Sequence, residues 1–132
     1  CSSICPSYRH GGIRTQEVVE RALLGALDVG SDDSIWKCTM CNSCTERCEL
    51  GVDPAHLITY LRSRAVLEGN VPEHYSSEAK LLVETGMAFP ITGLTRRFRE
   101  DMGLEELDVG ESTLDELNTI VEHTSMGEID IE

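Results

Sequence analysis

The sequence predicts an all-α protein. Apolar residues recur at spacings of three and four in two segments, and no segment alternates apolar and polar residues at the period of a strand. Glycine and proline fall where helices would start and stop. Between the two periodic segments lie four closely spaced cysteines, Cys38, Cys41, Cys44 and Cys48.

The elements follow in order. Residues 1–13 read as a loop containing glycine and serine. Thr15 is the expected N-cap of a helix running to Leu27, with apolar rows Val18–Ala22–Ala26 and Val19–Leu23–Leu27 on one broad face and Gly30 as the stop. Ser31, Asp32 and Asp33 turn the chain into the cysteine region, where Trp36 is expected to pack on the first helix. Asp53–Pro54 is an N-cap followed by proline at the first helical position, opening a helix to about Leu67 that ends at Gly69–Asn70. Leu57, Ile58, Leu61 and Ala65 form its expected buried stripe. Pro72 marks a linker, and shorter helices are expected over Ser77–Thr85, Gly93–Asp101 and Thr113–His123, with Gly86 and Gly103 as stops.

Composition narrows the role. A chain of 132 residues is one compact domain or a small domain with an extension. Aromatics at 5% are few for a self-sufficient core, a shortage that bound metal offsets because metal binding and folding are coupled. The net charge of −13 argues against nucleic acid and anionic membranes. No apolar run approaches the roughly 18 residues of a membrane span. Every charged residue from Glu100 to Glu132 is acidic, so this stretch reads either as a solvated tail or as a docking arm carrying Leu104, Leu107, Leu114, Leu117 and Ile120.

The cysteines carry the chemistry. Their spacing, C-x2-C-x2-C-x3-C, is that of bacterial-type iron–sulfur proteins. Cys1 and Cys5 repeat its last step and Pro6 follows; these six are all the cysteines present. A cubane takes one thiolate at each of four irons. Two C-x2-C steps wrap three thiolates round one face, and the fourth cysteine serves a neighbouring cluster. Cys38, Cys41, Cys44 and Cys5 are therefore expected to hold one 4Fe–4S cluster. Cys48 and Cys1 are expected at a second cluster whose other two ligands lie upstream of the numbering, which makes the chain an N-terminally truncated fragment by this reading. Tandem C-x2-C steps crowd thiols too tightly for disulfides, which implies a reducing compartment. Zinc is the competing metal, but structural zinc sites use pairs of ligands set apart in sequence. His10, His56, His74 and His123 are scattered and are not expected to bind metal. Thr39, Asn42, Ser43 and Thr45 are small or polar enough to let N–H groups approach sulfur, and Lys37 and Arg47 are the cations nearest the motif in sequence. Glu49 stands after Cys48, where many such motifs have proline.

Several stretches resemble the C subunit of the soluble heterodisulfide reductase of methanogens. They are Cys5-Pro6-Ser7-Tyr8, Arg14-Thr15, Arg21-Ala22-Leu23-Leu24-Gly25, Ile35-Trp36-Lys37-Cys38-Thr39, Cys44-Thr45-Glu46-Arg47-Cys48 and Arg99-Glu100-Asp101-Met102-Gly103-Leu104. The resemblance implies a small helical ferredoxin-like domain with two 4Fe–4S clusters over residues 1–70 and an acidic helical or irregular, partner-docking extension over 71–132. It also implies a cytoplasmic electron-transfer polypeptide placed between the A (flavin) and B (catalytic) subunits of heterodisulfide reductase. The catalytic one reduces the coenzyme M–coenzyme B disulfide, in an assembly fed by a hydrogenase or a formate dehydrogenase. No dinucleotide loop and no nucleophile–base pair is visible, so no catalytic residue is expected in this chain. The alternatives are an iron–sulfur protein of fumarate reductase or glycerol-3-phosphate dehydrogenase type, and a zinc-stabilised interaction module.

Overall fold

The computed structural model describes residues 2–128. The chain divides into two compact units, Cys1–Val71 and Pro72–Glu132. Every regular element among the described residues is helical, which bears out the all-α expectation.

In the first unit, α1 is a single turn, Pro6–Arg9, where the sequence leads one to expect only a loop. Proline at the first position loses nothing, because that N–H would be unpaired anyway. Cys5 Sγ takes the capping role and accepts the Tyr8 N–H at 3.4 Å. Helix α2 spans Thr15–Leu23, with Arg14 in the capping position and Thr15 buried inside the first turn. It stops four residues before the expected Leu27. Gly25, at φ +63°, is the true terminator, and the Gly25 and Ala26 N–H groups close back on the Ala22 and Arg21 carbonyls. The expected row therefore splits: Val18 is buried, Ala22 and Leu27 pack on the core, and Leu23 stands exposed.

Asp32 caps a 3-10 helix over Asp33–Lys37 by accepting the Ser34 N–H at 2.9 Å. The short α3, Ser43–Glu46, lies within the cysteine motif. Helix α4, Pro54–Leu67, opens as expected: Asp53 accepts the His56 N–H at 3.0 Å. Its buried side is Pro54, Ala55, Ile58, Leu61 and Ala65, with Leu57 only partly covered. Gly69, at φ +77°, ends it, and Asn70 Nδ2 donates to the Val29 carbonyl at 2.7 Å. Ile13, Ile35 and Ile58, with no exposed surface, meet Cys5, Val18, Leu61 and Ala65 in one cluster. At about 1.5–3 kcal/mol for each large aliphatic side chain, this cluster is the main apolar contribution to the unit.

The second unit holds α5 (Glu73–Thr85), α6 (Gly93–Asp101), α7 (Glu111–Glu122) and a 3-10 turn, Ser125–Glu128. Helix α5 begins four residues before the expected Ser77. Pro72 is in an extended conformation just ahead of it and launches the helix at Glu73. Gly86, at φ +71°, ends α5 beneath Val109 and Leu114, where α5 and α7 pack. Thr92 caps α6 by accepting the Thr95 N–H at 3.2 Å. None of the described side chains of this unit is buried. Leu114 and Leu117 are half-buried, whereas Leu94, Phe98 and Met102, at helical spacing, are exposed. Among the described residues no helix is long and apolar enough to cross a membrane.

Candidate metal centre

The cysteine loop is shaped by its backbone. Met40, at φ +52°, and Asn42, at φ +57°, both adopt the left-handed conformation, which costs most side chains about 1–2 kcal/mol. They flank Cys41 and curl the chain between Cys38 and Cys44. Arg62 of α4 braces the loop from outside. Its Nε donates to the Ile35 carbonyl at 3.1 Å, and its Nη2 donates to the carbonyls of Trp36 at 3.1 Å and Cys38 at 2.6 Å. Trp36 packs on the core with its ring 5.4 Å from the same guanidinium.

Cys5 is brought to this loop through Ser7. The Ser7 hydroxyl donates to the Lys37 carbonyl at 2.6 Å and accepts the Ile13 N–H at 3.2 Å. One side chain thus joins the Cys5 turn to the residue before Cys38. Gly12 closes over the same spot, where a Cβ would lie 2.8 Å from the Ser7 carbonyl oxygen.

The described thiols differ in setting. All five are free. Cys5 is buried, Cys38, Cys44 and Cys48 are half-buried, and Cys41 is exposed. Burial pushes the Cys38 thiol upward. The Met40 N–H, 3.4 Å from its sulfur, and the Arg62 charge pull the other way, while Cys44 and Cys5 add to the rise. Cys38 is therefore within electrostatic reach of both Cys44 and Cys5. Cys41 is shifted downward, chiefly by the Ser43 hydroxyl at 3.5 Å and also by the Ser43 N–H. Cys48 lines an apolar hollow with Val19, Leu23, Leu50, Val52 and Pro54. Cys1 lies outside the described residues.

This donor set fits iron–sulfur chemistry. Soft thiolates select iron–sulfur clusters or zinc. N–H groups already point at the Cys5 and Cys38 sulfurs, an arrangement that stabilises negative charge on ligand sulfur. Among the described residues no three His, Cys, Asp or Glu side chains converge closely enough to hold a single metal ion.

Comparison with known proteins decides the family. Residues 1–52 match the 4Fe-4S dicluster domain. The chain is 33% identical to the C2 subunit of the H2/formate:CoB-CoM heterodisulfide, ferredoxin reductase of Methanococcus maripaludis, an alignment covering 98% of this chain and 72% of that one. The chain belongs to the family of heterodisulfide reductase C subunits. It is 35% identical to the C subunit of the ferredoxin:CoB-CoM heterodisulfide reductase of Methanosarcina mazei over 81% of its length, spanning 66% of that relative. It is also 33% identical, over 92% of its length, to the iron-sulfur C 2 subunit of the CoB–CoM heterodisulfide reductase of Methanocaldococcus jannaschii, of which it spans 67%. Membership in this family brings 4Fe–4S clusters and supports an electron-transfer role.

Two residues of the centre escape recognition in the sequence. Arg62 carries a usable signal: it lies four residues after Ile58 and three before Ala65, on the edge of the buried stripe of α4. Ser7 carries none, because its partner is thirty residues away. Thr45 has a structural part in the loop through its side chain. Its hydroxyl donates to Asp53 at 2.8 Å and accepts the Ala55 N–H at 3.3 Å, which fastens α3 to the start of α4.

Proposed function

We propose that the chain carries electrons in a heterodisulfide reductase complex, between its flavin-bearing A subunit and its catalytic B subunit, which reduces the coenzyme M–coenzyme B disulfide. Electrons enter the assembly from a hydrogenase or a formate dehydrogenase. Cys38, Cys41, Cys44 and Cys5 hold one 4Fe–4S cluster in a helical ferredoxin-like domain, and Cys48 and Cys1 belong to the second. The observation that carries this reading is the Ser7 bridge, which brings Cys5 to the loop of Cys38. When bound, the clusters supply one-electron redox chemistry. The chain's own residues fix the thiolates, aim N–H groups at sulfur and cover Cys5 from water. Free thiols and the acidic balance support a cytoplasmic setting. The acidic extension over residues 71–132 faces the partner polypeptides. The lack of buried side chains among its described residues and the exposed Leu94, Phe98 and Met102 support that reading.

The test is anaerobic purification with its associated polypeptides, followed by iron analysis and EPR of the reduced protein. Brown protein accompanied by flavin and catalytic subunits is expected. Cys41→Ser should damage one cluster signal and spare the other, and Cys48→Ser should do the reverse. Colourless protein with stoichiometric zinc would overturn the reading.

A further inference from the structure

We propose that Arg62 sets the reduction potential of the cluster at the Cys38 loop, acting as a positioning residue that seats the loop and offsets the negative charge an arriving electron adds. The inference rests on the cysteine assignment proposed above.

The guanidinium is half-buried, and among the described residues it has no carboxylate partner. Its N–H groups go to three neutral carbonyls, those of Ile35, Trp36 and Cys38. Its face lies over the Trp36 ring, which restricts water on that side. A cation in this position keeps its full charge in a setting of reduced screening. It also stands one residue's backbone from a ligand sulfur, through its bond to the Cys38 carbonyl. A cluster bound by four thiolates is anionic and grows more so on reduction, so a fixed cation alongside favours the reduced form. Lys37 and Arg47, the cations nearest the motif in sequence, are both exposed, where solvent screens them.

A plainer role competes. Arg62 donates to the last carbonyls of the 3-10 helix, and basic side chains commonly do this at helix ends. Capping alone predicts a loss of stability with no change in potential. The two roles separate in an EPR-monitored redox titration of the iron-loaded full chain, with iron content measured first. Arg62→Gln keeps one NH2 donor and removes the charge. It should shift the reduction equilibrium of one cluster about 10-fold toward the oxidised form, or about 59 mV for one electron. Arg62→Lys, which keeps the charge and loses the planar fork, should stay within about threefold of the wild type. Trp36→Leu, which opens the cation to water, should move the equilibrium in the same direction as Arg62→Gln by a smaller factor. An unchanged potential in loaded Arg62→Gln overturns the proposal, and so does an equal shift in the Lys and Gln variants. Should Arg62→Gln fail to take up iron, Trp36→Leu decides: a lowered potential upholds the role and an unaltered one ends it. Wild-type protein without iron would instead remove the underlying cysteine assignment.

Discussion

Asp32 binds two parts of the chain through one carboxylate. It caps the 3-10 helix at Ser34, pairs with Arg21 of α2 at 2.6 Å, and is 10% exposed. Burial raises its pKa, but the Ser34 hydrogen bonds and the Arg21 guanidinium outweigh burial and leave it below the usual carboxylate range. A lowered folded pKa means the contribution is complete above the unfolded value and disappears as pH falls through the folded one. Asp32→Ala should therefore cost about 0.5–2 kcal/mol near neutrality, the usual penalty for a lost N-cap. In chemical denaturation below the ordinary carboxylate range, the gap between wild type and variant should shrink; a gap independent of pH would contradict the ion-pair account. The capping of α4 by Asp53 was legible in the sequence, because Asp–Pro is a local signal. The Arg21 pairing was not, because it depends on α2 ending at Gly25 so that residues 26–31 can fold back.

At the scale of elements, the turn of α1 and the loop before Cys38 act as one piece. Gly12 permits this: any side chain there would drive into Ser7, whose hydroxyl holds Lys37 and Ile13 together. Gly12→Ala should destabilise the protein by about 1–3 kcal/mol, the range for forced overpacking. It should also slow cluster uptake in anaerobic reconstitution followed by visible absorption. Ser7→Ala removes the bridge without the clash and should show the uptake defect with a smaller loss of stability. Unimpaired uptake in both variants would show that the bridge does not position Cys5. Helix positions were mostly readable from proline, glycine and apolar spacing, as α4 and α6 show. The largest misplacements, at Leu27 and Ser77, have one cause each, and α7 starts two residues before the expected Thr113. Gly25 outcompeted Gly30 as the stop, and Pro72 started α5 directly where a longer linker was expected.

Across the whole molecule, charge and burial are both divided unequally. Residues 1–71 carry seven Lys and Arg against nine Asp and Glu, and residues 72–132 carry four against fifteen, so −2 and −11 make up the total of −13. The strongly acidic unit is also the one in which no described side chain is buried. Its self-repulsion is exposed and therefore open to screening, whose range falls from about 30 Å at 0.01 M salt to about 8 Å at 0.15 M. Thermal melting of the full chain followed by circular dichroism should show a low-temperature phase that moves upward with added potassium chloride. The transition of the cysteine-bearing unit should hardly move; parallel shifts of both would refute this division. The Ser7 bridge has a consequence for maturation as well. Joining segments thirty residues apart has an entropic cost, and the hydrogen bonds of Ser7 to Lys37 and Ile13 offset part of it. A chain lacking that hydroxyl must gather Cys5 and Cys38 with the metal's own binding energy, so it should demand more iron and sulfide for the same degree of maturation.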